Sequence, residues 1–284
     1  MTRIASSIAT AVILILSAFQ ALAQEKAQIS IMTYNIRLSL DSDGEHKWAN
    51  RSDINCQMLD YYAPDLLGTQ ELCPDQLADL DAHMSDYGHV GAGRDNGKDK
   101  GERCEIFFKK TRFTLVKWGN FALSPTPEKF GEKAWDASYS RMATWVILTD
   151  NTTGKQFAYF NTHLDCDGKV ARREGIKLII EKAKTLAPHL PLIITGDFNC
   201  TAAEAPFDLL TEAGLKNVYQ LSPIVYGPDF SFHDFGRAKP GECQLLDYIF
   251  VSKHFDAKRC RVIDDKPQQR YLSDHYPVIS QLEL

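Results

Sequence analysis

The sequence lacks an excess of positive charge, which argues against a protein that grips nucleic acid over a large surface. Its 284 residues carry 32 Lys and Arg against 37 Asp and Glu, a formal net charge of −5. A tight nucleic-acid binder is expected to present a strongly basic face. Short basic stretches do occur at 98–103 and 109–112. Such clusters are more typical of a solvated loop or strand edge than of a phosphate track.

Paired cysteine motifs are also missing. No two of the seven cysteines form a CxxC pair, which argues against a zinc ribbon. Disulfide connectivity cannot be derived from spacing, and an odd number leaves at least one thiol over. We interpret most of these cysteines as small buried hydrophobic side chains.

The apolar run at the N-terminus is too short to cross a membrane. Arg3 precedes the run at 11–19, and the residues at 21–23 resemble a cleavage site. This pattern predicts a signal peptide over residues 1–23, whose removal would leave 31 basic and 37 acidic residues. We therefore expect a secreted or periplasmic protein that is a monomer without stable membrane insertion.

The remainder, residues 24–284, is expected to form one domain of the α/β class, because no repeat, linker or low-complexity tract divides it. Strands are predicted at 29–36, 65–71, 104–116, 141–149, 155–162, 191–197, 246–251, 259–263 and 276–282. Helices are predicted at 48–62, 75–84, 170–186 and 203–213. The strands between 104 and 162 are predicted to be antiparallel and joined by hairpins, because aromatic and β-branched runs alternate with turn residues. The irregular segments 92–103, 124–139 and 222–242 are predicted to be long functional loops.

Polar groups that can bind a metal or a phosphate come at the ends of six predicted strands. They are Asn35, Glu71, His163 with Asp165, Asp197 with Asn199, Asp247, and Asp274 with His275 on the loop before the last strand. We expect the strands to carry these groups at their C-terminal ends, so that all of them lie along one rim. Asp197 and Asn199 are two residues apart, a spacing that points both side chains to one side of an extended backbone.

Hydrolysis of a phosphate ester is the chemistry that such a set serves. A hard cation held by oxygen ligands offsets the charge of the phosphoryl group and activates water. Carboxylate and amide oxygens suit Mg²⁺ or Mn²⁺ better than Zn²⁺. Imidazoles beside carboxylates then carry protons or contact the phosphate.

Six short motifs resemble the endonuclease/exonuclease/phosphatase superfamily, and the resemblance runs from residue 28 to the C-terminus. In order they are TyrAsnIle at 34–36, GlyThrGlnGlu at 68–71, AsnThrHisLeuAsp at 161–165, GlyAspPheAsn at 196–199, LeuAspTyrIle at 246–249 and SerAspHisTyrProVal at 273–278. The resemblance implies a four-layer α/β sandwich, in which two mainly antiparallel sheets lie face to face and are flanked by helices. It also implies an active site at the rim where the strands end.

The resemblance further implies a role for each motif residue. Asn35 and Glu71 would hold the divalent cation, and Asp274 would add a metal or imidazole contact. Asp197 would activate or orient the attacking water. Asn199 would position that water or a phosphate oxygen.

The imidazole roles follow from the same resemblance. His275 would contact the scissile phosphate and be oriented by Asp247 through its other ring nitrogen. His163 matches a second family histidine, with Glu102 as its carboxylate partner. Glu105 is a rival for the role of Glu102, and the sequence leaves the two open.

The remaining site predictions concern the substrate. Arg141 matches a position that contacts phosphate, and Asp165 is a supporting residue. His233 is predicted to contact the substrate from its loop, with packing of that loop as the alternative. Alone, each motif residue has an ordinary explanation as a turn former, a strand start or a packed core side chain. Their coincidence in the right order favours catalysis.

The substrate is the least determined feature. The sequence favours a phosphodiester as the bond hydrolysed, with a phosphomonoester also open and an extracellular nuclease acting on DNA or RNA as the leading alternative. A non-catalytic binding module on the same fold is the second alternative. It is disfavoured because no motif residue is replaced.

Overall fold

The computed structural model describes residues 28–284, so the predicted signal peptide at 1–23 lies outside the described residues. The described chain contains two β-sheets that pack face to face, with α-helices on their outer surfaces. This is the predicted four-layer α/β sandwich.

The strands in chain order are β1 (Gln28–Asn35), β2 (Leu66–Gln70), β3 (Tyr87–Val90), β4 (Ile106–Lys109), β5 (Phe113–Ala122), β6 (Met142–Asp150), β7 (Gln156–His163), β8 (Leu192–Asp197), β9 (Leu215–Asn217), β10 (Val225–Tyr226), β11 (Asp247–Ser252), β12 (Asp256–Val262) and β13 (Val278–Glu283). The α-helices are α1 (Ser52–Tyr62), α2 (Pro74–His83), α3 (Lys169–Leu186), α4 (Ala205–Glu212) and α5 (Val218–Leu221). Short 3₁₀ turns cover Asp41–His46, Trp48–Asn50, Asp234–Gly236 and Pro267–Gln269.

The first sheet has seven strands in the order β10-β12-β13-β1-β2-β4-β3, and the second has six in the order β5-β6-β7-β8-β11-β9. Most neighbouring strands are antiparallel. The parallel pairs are β1 with β2, β10 with β12, and β7 with β8. Two of these, β1 with β2 and β7 with β8, bring strand ends to the rim that carries the candidate site.

The core between the sheets is built from side chains on the inner faces of both. Ile31 and Leu66 of the first sheet pack in one cluster with Val146, Phe157 and Ile249 of the second. Every one of these side chains is fully buried. Burial of apolar surface on this scale is the main force that holds the sheets together.

The helices cover the outer faces because each has one apolar side. In α1, Ile54, Met58 and Leu59 are buried at helical spacing and pack with core residues of the first sheet. The helix ends where Ala63 takes a left-handed backbone, directly before Pro64. On the second sheet, α3 buries Ile176 and its neighbours in the same manner.

The predicted strand at 104–116 is wrong as a single element. The chain turns near Arg112 and divides into β4 and β5, which belong to different sheets. No hairpin therefore joins β4 to β5, although β5, β6 and β7 do form the predicted antiparallel ladder. Pattern alone missed the turn because both halves carry the same aromatic and β-branched composition.

Other boundaries also differ from the prediction. Strands β3 and β9 were not predicted, and the helix predicted at 48–62 begins as a 3₁₀ turn before α1 starts at Ser52. The segment 222–242 is largely loop, but it contains β10 and the 3₁₀ turn Asp234–Gly236. Short elements at sheet edges carry too little periodicity to be detected.

None of the seven cysteines, all of which lie among the described residues, takes part in a disulfide. Cys104, Cys200 and Cys260 are buried, whereas Cys56, Cys73 and Cys243 are half-buried and Cys166 is exposed, so the prediction that most of the cysteines are buried is wrong. Among residues 28–284, no helix is long and apolar enough to span a bilayer.

A close contact between the sheets at Gly68 provides a test of this packing. A Cβ atom on Gly68 would collide with the Tyr159 hydroxyl and lie 2.7 Å from Asn161 Oδ1. We expect Gly68→Ala to lower the free energy of unfolding by about 1–3 kcal/mol or more, because a packed core cannot absorb an extra methyl group. Urea unfolding followed by circular dichroism would measure the change.

Gly154→Ala is the control for Gly68→Ala. A Cβ at Gly154 meets nothing within 4 Å, but the backbone has φ +72°, so this variant reports the cost of a left-handed alanine alone. If Gly68→Ala costs no more than Gly154→Ala, the two sheets are not in rigid contact at this point.

Candidate active site

A cleft of about 530 Å³ opens at the rim where the two sheets meet. It contains most of the predicted site residues together with apolar side chains at its edges. Its lining comprises Arg37, Leu38, Leu40, Glu71, Arg94, Glu102, Tyr139, Arg141, His163, Cys166, Asp197, Asn199, Phe232, Leu246, Asp274 and His275.

Strand register explains why the residues of the second sheet converge. His163 at the end of β7 lies beside Asp197 at the end of β8, and Asp197 is paired with Asp247 of β11. Asp247 begins β11 instead of ending it, which corrects the prediction that it lies at a C-terminal strand end. Because β11 runs antiparallel to β8, its first residue still reaches the same rim.

Asn35 joins the two sheets across this rim. Its Nδ2 donates hydrogen bonds to Glu71 Oε1 at 3.1 Å and to Asp197 Oδ2 at 2.9 Å. Its Oδ1 accepts from the backbone N–H of Arg37 at 3.0 Å. The amide thus turns its nitrogen toward both carboxylates, and Oδ1 could reach a cation between them only if the amide rotated and released Arg37.

Two residues that follow strand ends have left-handed backbones. Glu71 has φ +61° and Asn199 has φ +48°, conformations that non-glycine residues rarely adopt. Glu71 Oε2 accepts from the N–H of Leu38, and Asp197 Oδ1 accepts from the N–H of Asn199 at 2.9 Å. These bonds hold the strained turns and fix both carboxylates.

His275 and Asp247 form a buried acid–imidazole pair. His275 Nδ1 lies 2.7 Å from Asp247 Oδ2, and Nε2 lies 3.8 Å from Asp197 Oδ2. Burial acts to lower the pKa of His275, but the charges of Asp247 and Asp197 outweigh it and hold the pKa well above the usual value. The Ser231 hydroxyl, which accepts from the N–H groups of Leu246 and Asp247, anchors the carboxylate side of the pair. The predicted contact between Asp247 and one ring nitrogen of His275 is therefore present, through Nδ1.

His163 has the opposite electrostatics. Its Nε2 lies 2.9 Å from Asn199 Nδ2 and 3.4 Å from Asp197 Oδ2. Burial, with a smaller effect of the positive charge on Arg141, holds the pKa of His163 well below its usual value. The site thus pairs a neutral imidazole, which accepts from Asn199, with the cationic imidazole of His275.

The carboxylates of the cleft crowd one another. Burial, reinforced by the charge of Asp247, raises the pKa of Asp197 to about 7. Burial together with Glu71 also raises the pKa of Asp274. Asp197, Asp247 and His275 place one ligand atom each within 4.8 Å of one another. His275 is protonated and pairs with Asp247, so the oxygen ligands for a hard divalent cation are the carboxylates of Glu71, Asp274 and Asp197, whose crowded negative charge it would offset.

Asp274 is also tied to a residue that the sequence did not single out. Arg37 Nη1 lies 3.4 Å from Asp274 Oδ2, while the same guanidinium holds Asp43 through two hydrogen bonds of 2.9 and 3.0 Å. Arg37 directly follows the TyrAsnIle motif in the sequence, and this adjacency was the signal that could have identified it as a site residue.

Asp165 fixes the loop that precedes β6. Its carboxylate accepts from the backbone N–H groups of Ser138, Tyr139, Asp167 and Gly168. The Arg141 Nε lies 3.5 Å from the same carboxylate. Asp165 therefore positions the cleft wall and does not line the cleft itself.

The predicted partner of His163 is not the one in the structure. Glu102 lines the cleft but binds Arg94, with N–O distances of 2.6 and 2.7 Å. Its rival Glu105 binds His89 at 2.8 Å and Arg103 at 3.2 Å. Asn199 and Asp197 are the groups that contact His163, because strand register places Asp197 beside it.

His233 is likewise placed differently from the prediction. It does not line the cleft but packs between Tyr271 and Tyr276, with ring centroids 5.1 and 3.9 Å away. Its Nδ1 accepts from the N–H of Gly236, and burial lowers its pKa to about 3. His233 therefore packs the loop behind His275 and makes no contact available to a substrate in the cleft.

Two further cleft residues, Arg94 and Tyr139, were missed. Arg94 lies in the segment 92–103 and Tyr139 in the segment 124–139, and both segments are loops in the structure, as predicted. Neither belongs to a motif, and only the folding of these loops onto the rim shows that they line the cleft.

The His89 contact gives a pH-dependent prediction. A hydrogen bond to Glu105 outweighs desolvation and raises the pKa of His89, and Asp81 lies 3.2 Å from its other nitrogen. A raised folded-state pKa gives stability that is present below the unfolded pKa and is lost as pH rises through the folded value. We expect His89→Gln to destabilise the protein more at about pH 6 than at about pH 9. Urea midpoints at the two pH values would measure this, and an equal loss at both would show that the ion pair contributes nothing.

Comparison with known proteins agrees with the motifs. Residues 32–275 match the Endonuclease/Exonuclease/phosphatase family. Human nocturnin is 25% identical over 256 residues, which cover 80% of this chain and 56% of that protein. The chain thus spans about half the length of the curated relatives it matches.

Solved structures give closer similarity. An endonuclease/exonuclease/phosphatase from Bacteroides vulgatus is 36% identical with a TM-score of 0.88, and the match covers 91% of this chain and 100% of that one. A mannosyl-6-phosphatase from Bacteroides thetaiotaomicron is 35% identical with a TM-score of 0.84, covering 90% and 100%. The family match over most of the described residues, together with this shared fold, leads to one conclusion: the chain belongs to the endonuclease/exonuclease/phosphatase family.

Proposed function

We propose that the protein is a hydrolase of phosphate esters that uses Mg²⁺ or Mn²⁺. The observation that carries the proposal is the hydrogen-bonded set of Asn35, Glu71 and Asp197, which joins two sheets beside His163 and His275 in one cleft. A bound divalent cation would supply charge stabilisation and lower the pKa of a bound water. Glu71, with Asp274 nearby, would hold it, and Asn35 would join them after its amide rotates.

The protein's own groups suit the proton transfers of such a hydrolysis. Asp197, whose pKa is raised to about 7, is suited to accept a proton from the attacking water near neutral pH. His275, held cationic by Asp247, is suited to donate a hydrogen bond to the phosphoryl oxygen as its charge grows. Asn199 would orient the water or a phosphate oxygen through its amide.

We further propose a phosphomonoester of a small polar alcohol, a sugar phosphate, as the substrate. The cleft volume of about 530 Å³ suits a small ligand. The similar mannosyl-6-phosphatase from Bacteroides thetaiotaomicron favours this class over the phosphodiester that the sequence placed first.

A nuclease acting on DNA or RNA is the second candidate. Lys98 and Lys100 are exposed on the loop that carries Arg94 into the cleft, so a phosphate backbone could extend from the site along this loop. Parallel assays on mannose 6-phosphate, bis-p-nitrophenyl phosphate, single-stranded DNA and RNA would separate the candidates.

Export from the cytoplasm is part of the proposal, supported by the signal-like pattern at 1–23.

The metal role can be tested at Glu71. We expect Glu71→Gln to raise the Mg²⁺ concentration for half-maximal activity by about tenfold or more, because a principal charged ligand is lost. Activity titrated with MgCl₂ would measure the shift. Asp167→Asn, which neutralises an exposed carboxylate beside the cleft, is the control. An unchanged titration for Glu71→Gln would refute the ligand assignment.

The imidazole pair can be tested separately at Asp247. We expect Asp247→Asn to lower kcat by about 10² or more, because His275 loses the charge that keeps it protonated and oriented. The Mg²⁺ titration should stay within about twofold, since Asp247 is engaged with the imidazole. Selective loss of metal affinity with kcat retained would mean that Asp247 is a metal ligand.

A further inference from the structure

One wall of the cleft has a composition that the proposed hydrolysis does not require. Tyr139 lines the cleft with 49% of its surface exposed. Three cationic side chains surround its ring: Arg94 at 5.4 Å, Arg141 at 5.3 Å and Lys133 at 5.9 Å from the ring centroid. An exposed aromatic ring so close to a catalytic centre provides a flat apolar surface for a ligand.

The ring is held in place by the backbone on which it stands. Asp165 accepts from the N–H groups of both Ser138 and Tyr139, at 3.0 Å each. Asp136, in the same loop, accepts from the N–H groups of Val170 and Ala171 and so caps α3. The loop is therefore fastened to the second sheet and its helix, and the ring surface is preformed.

Beside Tyr139 lies the ion pair of Arg94 and Glu102. Arg94 and Glu102 make two side-by-side N–O contacts of 2.7 and 2.6 Å, and both residues line the cleft. A paired guanidinium and carboxylate still offer spare donors and acceptors next to each other. Adjacent donors and acceptors of this kind are what the hydroxyl groups of a sugar require.

We propose that Tyr139, Arg94 and Glu102 form the subsite for the sugar ring of a sugar phosphate, next to the phosphate position at Arg141. This assignment rests on the proposed function and extends it by naming the groups that select the alcohol. The C–H face of the sugar packs on Tyr139, while its hydroxyl groups bond to the Arg94–Glu102 pair.

Kinetics of Tyr139 variants test the subsite. For Tyr139→Ala we expect the ratio of kcat/KM for mannose 6-phosphate to kcat/KM for methyl phosphate to fall about tenfold, mainly through KM for the sugar ester, because ground-state and transition-state binding are lost together. Tyr139→Phe should retain at least half of the ratio, since the ring face remains. Trp135→Ala, which removes an exposed aromatic of the same loop outside the cleft lining, is the matched control and should leave the ratio unchanged. An equal loss on both esters would overturn the proposal.

Binding without turnover separates the subsite from the proposed function. Calorimetric titration of mannose 6-phosphate and inorganic phosphate into His275→Ala and into His275→Ala with Tyr139→Ala requires no hydrolysis. We expect the second substitution to weaken mannose 6-phosphate about tenfold and inorganic phosphate less than twofold. If binding behaves so but no ester is hydrolysed by the unmodified protein, the function fails while the subsite stands. Tighter binding of adenosine monophosphate than of mannose 6-phosphate would overturn the sugar assignment.

Discussion

The hydrogen bonds from the Asn35 amide to Glu71 and Asp197 are the contacts on which the whole site depends. Glu71 follows β2 of the first sheet and Asp197 ends β8 of the second, so this one amide connects the sheets at their common rim. The buried carboxylate of Asp197 and the half-buried carboxylate of Glu71 repel each other, and a neutral donor between them lowers that cost. The amide therefore fixes the separation of the sheets at the point where the chemistry is proposed to occur.

The rim carries strain and uncompensated charge that the core of the sandwich must offset. Glu71 and Asn199 have left-handed backbones, and Asp197 and Asp274 have raised pKa values. Such features destabilise a folded protein and persist only where the surroundings enforce them. Here the enforcing structure is the apolar core between the sheets and the parallel pairing of β1 with β2 and of β7 with β8. The strained groups lie at strand ends, on the rim where the proposed cation and phosphate would bind.

His163 and His275 lie in the same cleft but differ in protonation state, because their surroundings differ. His275 borders two carboxylates and is held cationic, whereas His163 is buried, neutral and bonded to Asn199. Each has an aspartate close by in the sequence, Asp274 directly before His275 and Asp165 two residues after His163, so the motifs gave no reason to assign them opposite charges. The difference comes from Asp247, which belongs to a strand far along the chain and reaches only His275.

The sequence by itself determined most of the strands and most members of the cleft, because motif residues such as Glu71 and Asp197 stand at the ends of strongly apolar runs whose strand character is local. The α/β sandwich followed from the resemblance that those motifs carry. The sequence did not determine which side chains meet across the rim. Glu102 was expected beside His163 and is bonded to Arg94, and His233 was expected in the cleft and packs behind it. The sequence pattern also predicted a single strand at 104–116, although a turn near Arg112 divides this segment between the two sheets. Tertiary structure decided these points, because strand register and the folding of long loops depend on contacts between residues far apart in the chain, which no local pattern records.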